Sequence, residues 1–362
     1  MKCNLRTIFL LPFSLIYSII TWVRNQLYDK GILQSSCVEV PLISVGNLAV
    51  GGTGKTPHVE FILSVLQNKF RTAMISRGYK RDTTGFILAN ENAKSCTIGD
   101  EPYQIYRKFT GIVVAVDEKR VEAVNKLIKI FPDIESIVLD DAFQHRQITA
   151  GLSIVLTCYN NLYVDDSHLP GGNLRENNKG ADRADILIVT KCPEEIQQNE
   201  MNVIRERLKP ALHQKLFFSC YEYDEIQAVF PEYSKESFTL NKIKLEKAGI
   251  LLVAGIVSPE PVLIKLKEYA ETINYLFYSD HHNFKTNDLK HIEEKYKQLS
   301  TEKKIIIVTE KDAVRILDNT FITNEFKSII YFLPVRVKIL DNKKDELIKI
   351  LTDYVAENPR NC

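Results

Sequence analysis

The segment PLISVGNLAVGGTGKTPHVEFILSVL, residues 41–66, passes from an unbroken apolar run through a glycine-rich turn into an amphipathic stretch. This order predicts a strand, a loop and a helix, with backbone N–H groups at the helix N-terminus converging on an anion. Gly51, Gly52, Thr53 and Gly54 form the curl, Lys55 is long enough to reach terminal phosphates, and the Thr56 hydroxyl suits Mg2+. Ala49 stands where the pattern G-x-x-x-x-G-K-[ST] has its first glycine, so the chain must turn there without a positive φ. A glycine-rich turn that binds nothing is the competing reading.

Unbroken β-branched runs at 40–45, 72–76, 112–116, 136–141, 152–157 and 185–190 alternate with helical lengths, which predicts parallel strands buried on both faces. The chain then becomes charged and lysine-rich, and a second set of runs follows at 250–256, 273–279, 304–310 and 329–335. The expected fold is α/β: a P-loop NTPase-like parallel-sheet domain over 31–200, a smaller C-terminal α/β domain over 201–362, and an amino-terminal helix over 1–30. The boundary is least defined within 195–248.

Charge narrows the partners. Lys plus Arg number 47 against 46 Asp plus Glu, a net charge of +1, so no global basic field favours nucleic acid. The seven cysteines are odd in number, scattered and never spaced C-x-x-C, which argues against a disulfide framework or a zinc site and fits a reducing compartment.

Thr7 to Val23 carry no charge, with Lys2 and Arg6 before them and Arg24 and Lys30 after. The run is short for a spanning helix, and Pro12, Ser14, Ser18 and Thr21 interrupt it. An interfacial anchor is expected, with Tyr17 and Trp22 in the headgroup zone and the basic flanks on anionic lipid. A marginal span, a buried core helix and a cleaved signal are the alternatives, the last lacking a small-residue cleavage site.

Several clusters supply candidate chemistry. SIVLDDAFQHR ends an apolar run in Asp140 and Asp141, placed to hold Mg2+ beside a phosphate loop, and continues into Gln144, His145 and Arg146. No N-K-x-D string follows the late strands, which disfavours guanine nucleotides. IGDEPYQIYRKF sets Asp100 before a helical stretch, as a helix cap or a proton acceptor, and YSDHHNF offers His281 and His282 to orient such a carboxylate. Arg77 in ISRGY and Arg175 with Glu176 in HLPGGNLRE are candidates for an anionic substrate, against a solvated face and a simple turn.

Taken in order, VGNLAVGGTGKTP, ISRGY, GDEP, LDDAFQHR, LPGGNLRE, SDHHNF and VTEKDAVRI resemble the tetraacyldisaccharide 4'-kinase family, the lipid A 4'-kinases, over essentially the whole chain. The resemblance implies an enzyme on the cytoplasmic face of a bacterial inner membrane. It would move the γ-phosphoryl of ATP, with Mg2+, to the 4'-hydroxyl of a tetraacylated glucosamine disaccharide 1-phosphate, a lipid A precursor, with no obligate protein partner. It places Lys55 and Thr56 in the phosphate loop, Asp140 and Asp141 at the metal, and Asp100 as base assisted by His281. It also places Arg77, Arg120, Gln144, His145 and Arg175 around the phosphates and acceptor. DDAFQHR replaces the commoner DDGLQHR, so Ala142 must avoid a positive φ or carry mild strain. A membrane-bound P-loop ATPase or nucleotide switch acting on a protein partner is the alternative function.

Overall fold

In the computed structural model the described residues are 5–234, 238–319 and 321–357, with side chains described from residue 9. The chain forms two compact units, one from Met1–Asn92, Ile105–Tyr221 and Val337–Cys362, the other from Ala93–Gln104 and Glu222–Arg336. The strands in chain order are β1 (Leu42–Asn47), β2 (Thr72–Ser76), β3 (Ile87–Leu88), β4 (Val113–Val116), β5 (Ser136–Asp140), β6 (Leu152–Cys158) and β7 (Ile186–Thr190). They continue as β8 (Lys215–Tyr223), β9 (Gln227–Ala228), β10 (Gly249–Ala254), β11 (Ile273–Phe277), β12 (Lys304–Thr309), β13 (Ile330–Leu333) and β14 (Val335–Ile339).

The first sheet has the order β14-β8-β7-β6-β1-β5-β2-β4-β3 among the described residues. Strand β1 lies between β5 and β6, parallel to both. The chain therefore reverses its direction of strand addition at β1, and the crevice beyond the carboxyl end of β1 is where such sheets bind ligands. The β1 positions are all buried because helices cover both faces. Helix α2 (Lys55–Leu66) places Val59, Ile62, Leu63 and Leu66 on one buried stripe against that sheet. Burying these side chains contributes roughly 6–12 kcal/mol of transfer free energy. The C-terminal helix Lys344–Glu357 adds Leu347, Leu351 and Val355 to the same core.

The second unit repeats the device in smaller form, with strand order β11-β10-β12-β13-β9. Strand β10 is parallel to β11 and β12, so a second switch point lies at its carboxyl end.

The expected boundary at 200 falls inside the helix Gln198–Leu208. The chain stays in the first unit to Tyr221 because β8 extends the first sheet, and it returns at Val337. The C-terminal helix thus belongs to the nucleotide-loop unit rather than to the C-terminal domain expected over 201–362. Cys96, Cys158, Cys192 and Cys220 are free thiols. Cys37 is disulfide-bonded, which the scattered cysteines gave no reason to expect.

The amino-terminal helix α1 (Leu5–Asp29) is built inside out. Its inward stripe is polar: Ser14, Tyr17, Ser18, Thr21 and Asn25 are buried or half-buried, at helical spacing. Its other faces expose Phe9, Leu11, Phe13, Leu15, Ile16, Ile19, Ile20, Trp22 and Val23. A buried core helix is therefore excluded. No helix among the described residues is long and apolar enough to cross a membrane. Trp22 keeps its expected exposure, but Tyr17 turns inward and donates its hydroxyl to the Arg175 carbonyl at 3.0 Å. Lys2 and the Arg6 side chain, expected to meet lipid, lie outside what is described.

Candidate active site

The phosphate loop leaves β1 at its carboxyl end, and the turn is made by Gly51 at φ 112° and Gly54 at φ 87°. Ala49, outside the positive-φ set, is instead packed at 8% exposure and bridges to Leu174. Gly54 is irreplaceable on two grounds. Its φ is left-handed, and a Cβ there would lie 2.4 Å from the Tyr221 hydroxyl. His58, one turn into α2, donates from Nδ1 to the Gly54 carbonyl at 2.7 Å and accepts from Ser219 at Nε2, 2.9 Å. Burial, with Lys191 adding to it, pushes His58 down to about 4, so the ring is neutral and its tautomer follows from these two bonds. Asn47 at the end of β1 donates to the Thr53 hydroxyl at 2.8 Å and accepts from Lys55 Nζ at 3.3 Å.

Across the loop, Asp140 ends β5 and accepts from the Ser76 hydroxyl at 3.1 Å. Asp141 follows with φ 48°, so the left-handed residue in this turn is the aspartate and Ala142 avoids the strain. Asp141 Oδ1 accepts from Arg175 at 2.8 Å and lies 3.7 Å from Lys55 Nζ. Burial raises its carboxyl, but the Lys55 and Arg175 charges outweigh this and hold it below the usual range. Arg120 is 3% exposed; it donates to the Asp117 carbonyl and keeps two guanidinium nitrogens without hydrogen-bond partners. Burial lowers it to about 10, opposed by Asp140 and Asp141, so it remains a cation at neutral pH. His145 is pushed down to about 4 by burial and then by Arg120 and Arg77, and is neutral. Arg77 is exposed at the end of β2.

Gln144 is half-buried. Its amide nitrogen donates to the Asn47 carbonyl at 2.9 Å and to Glu176 at 3.0 Å. Glu176, 3% exposed, also accepts from Arg183 at 2.8 Å and from Asn25 of α1 at 2.8 Å. It is a buried brace rather than an exposed substrate contact.

In the second unit, Asp100 begins the helix Asp100–Lys108, and its Oδ2 accepts from His281 Nδ1 at 3.0 Å and from Arg315 Nε at 2.8 Å. His281 follows β11 in a left-handed conformation, φ 57°. His282 points elsewhere: it stacks on Tyr278 at 4.5 Å and lies 3.1 Å from Asp288. Burial raises the Asp100 carboxyl, but the His281 hydrogen bond and the Arg315 and Lys311 charges hold it below the ordinary range. Arg315 is fixed by Asp312, fully buried, at 2.7 Å, and Asp312 in turn accepts from the Gly255 N–H at 2.8 Å. The dyad thus sits at the carboxyl ends of β10, β11 and β12, at the second switch point.

Sequence reasoning did not single out Asn47, His58, Lys311, Asp312 or Arg315. The signal for the last three is a capped helix start, Thr309 with Asp312, followed by two cations four residues apart, which share a helix face.

A phosphate loop at a sheet switch point, with a carboxylate pair beside its lysine, defines a P-loop nucleotide-binding α/β protein. A family model described as tetraacyldisaccharide-1-P 4'-kinase matches residues 6–356, and the chain belongs to that family. A tetraacyldisaccharide 4'-kinase of Bacteroides thetaiotaomicron is 44% identical over 97% of this chain and 94% of its own length. One of Flavobacterium johnsoniae is 42% identical over 98% and 99%. A crystal structure of LpxK from Aquifex aeolicus, described as an "apo" form in complex with ATP, matches with a TM-score of 0.73 at 26% identity. That match covers 97% of this chain and 100% of the other.

Proposed function

We propose that this chain is a kinase of lipid A biosynthesis, transferring the γ-phosphoryl of ATP to the 4'-hydroxyl of a tetraacylated glucosamine disaccharide 1-phosphate. The match to the tetraacyldisaccharide kinase family over residues 6–356 carries this reading. The geometry is consistent with it. Lys55 is held between Asn47 and Asp141, extended beside the curl that would cradle phosphates.

The residues fit Mg2+. Thr56, Asp140 and Asp141 would each supply an oxygen donor, and no cluster of three or more His, Cys, Asp or Glu suited to a metal occurs among the described residues. An ion that takes its remaining ligands from phosphate and water needs no such cluster. When bound, it neutralises charge on the transferring phosphates.

The roles follow. Gly51, Gly52 and Gly54 present backbone N–H groups to the phosphates, the Thr53 N–H being bonded to the Gly51 carbonyl at 2.9 Å, and Lys55 offsets their charge. Asp100 takes the proton of the acceptor hydroxyl; the oxygen electron pair attacks the γ-phosphorus, and the bond to ADP breaks with its electrons. Oδ2 of Asp100 is committed to His281 and Arg315, which leaves Oδ1 as the proton acceptor. Arg120, with Arg77 exposed beside it in charge, offers free donors to an anion, and Arg175 orients Asp141. The exposed apolar faces of α1 seat the enzyme on the cytoplasmic face of the inner membrane, where a four-chain lipid resides, each buried CH2 being worth about 0.8 kcal/mol.

The test is labelled ATP with and without the disaccharide lipid. Label is expected on the lipid, with ADP formation dependent on it. Lipid-independent hydrolysis would instead favour a nucleotide switch.

A further inference from the structure

The helix Glu310–Leu317 follows β12 at the second switch point and carries Lys311 toward the far side of the His281 ring. Lys311 Nζ lies 3.0 Å from His281 Nε2, 2.9 Å from Glu101 Oε1 and 3.5 Å from Asp280 Oδ1. An ammonium has donors only, so Nε2 must present its lone pair to Lys311, and the ring proton must sit on Nδ1. Nδ1 is the nitrogen that meets Asp100 Oδ2 at 3.0 Å.

We propose that Lys311 is a positioning residue for phosphoryl transfer: it locks His281 in the Nδ1–H tautomer and so keeps Asp100 an ionised, correctly turned proton acceptor. Without the ammonium, three carboxylates bear on the ring. Asp100 faces Nδ1, while Glu101 lies 3.8 Å and Asp280 3.7 Å from Nε2. Glu101 and Asp280 then compete with Asp100 for the imidazole proton. A proton drawn to Nε2 leaves a lone pair on Nδ1 facing the Asp100 carboxylate. That contact is repulsive, and it swings Asp100 away from the acceptor. Arg315 cannot substitute, because it already spans Asp100 and Asp312. Lys311 and Arg315 therefore divide the work: one sets which ring nitrogen is protonated, the other anchors the carboxylate oxygen that the ring bonds.

The inference rests on the reading of Asp100 as base, and the experiment separates the two. Full-length wild type, Lys311→Met and Lys311→Arg are compared by nitrogen-15 spectroscopy of the histidine rings and by steady-state kinetics with ATP and the disaccharide lipid. His281 is expected as the Nδ1–H tautomer in wild type and Lys311→Arg, and as Nε2–H or a mixture in Lys311→Met. The Lys311→Met kcat falls about 100-fold, within the span of general-base effects, with the ATP KM held within about twofold. Lys311→Arg, which keeps a cationic donor at Nε2, restores most of the rate. A Lys311→Met enzyme that keeps the Nδ1–H tautomer, or whose defect lies in the ATP KM, overturns the proposal. Should Asp100→Asn retain full kcat, the base assignment fails instead, and the tautomer result stands by itself.

Discussion

Asn25 of α1 donates its amide to the buried carboxylate of Glu176 at 2.8 Å. The amino-terminal helix is thus bonded, through one polar stripe, to loops that also hold the phosphate loop, since Gln144 joins Glu176 to Asn47 and Asn47 meets Lys55. Ser14 accepts from Gly171 N–H at 2.9 Å and Arg146 donates to the Asn25 carbonyl at 3.0 Å, so the seam continues along the helix. The helix thus spends most of its uncharged polar groups on the protein and presents mainly apolar side chains outward up to Val23.

Glu176→Ala is expected to lower stability by about 3 kcal/mol, because removing one partner strands the Arg183 charge and the Asn25 and Gln144 amides. Urea unfolding monitored at the single Trp22, on α1, reads the loss where it should begin.

Placing glutamates at Phe13, Ile16 and Ile20, which are 61%, 56% and 61% exposed, should leave the melting temperature nearly unchanged. Partition onto vesicles containing anionic lipid should be lost, because each charge removes apolar contact and adds repulsion. Sedimentation with vesicles measures this, and unchanged partition would remove the anchoring role of α1.

Gly54→Ala is expected to weaken ATP binding at least tenfold, since it combines a left-handed backbone with a Cβ driven into the Tyr221 hydroxyl. Calorimetric titration with ATP gives the value, and Tyr221→Phe in the same chain should not restore it, because the backbone strain persists.

His58 and His145 are each held down to about 4, against 6.5 for a free imidazole, chiefly by burial. Both are neutral when folded, so the unfolded chain binds more protons between these values. The stability they contribute is complete above pH 6.5 and is lost as pH falls toward 4. Denaturation measured across this window should show that decline, and His58→Asn, which keeps a donor for Gly54, should make it shallower.

The turn geometry of the phosphate loop was legible because its pattern is local. Strand, glycine turn and helix are contiguous, and the runs at 72–76, 136–141 and 185–190 became β2, β5 and β7 with ends shifted by a residue or less. What escaped reading depends on chain reversals that no local pattern carries. Strand β8 and the return at Val337 complete the first sheet from a segment whose composition suggested a different domain. Gln144 and Glu176 were seen as polar residues in loops, and only burial shows that they brace each other. The outward-facing apolar residues of the amino end are a local pattern, yet the inward turn of Tyr17 depended on a carbonyl 158 residues away. Lys311 and Arg315 resemble any solvated helix cations until β11 and β12 bring them to His281 and Asp100.

The most direct measurement incubates full-length protein with ATP, Mg2+ and the tetraacylated disaccharide 1-phosphate in mixed micelles, and follows ADP and lipid product together. The account predicts a lipid with a second phosphate at the 4' position, formed one for one with ADP and absent when the lipid is withheld. ADP accumulating at the same rate without lipid, with no doubly phosphorylated product, would contradict it.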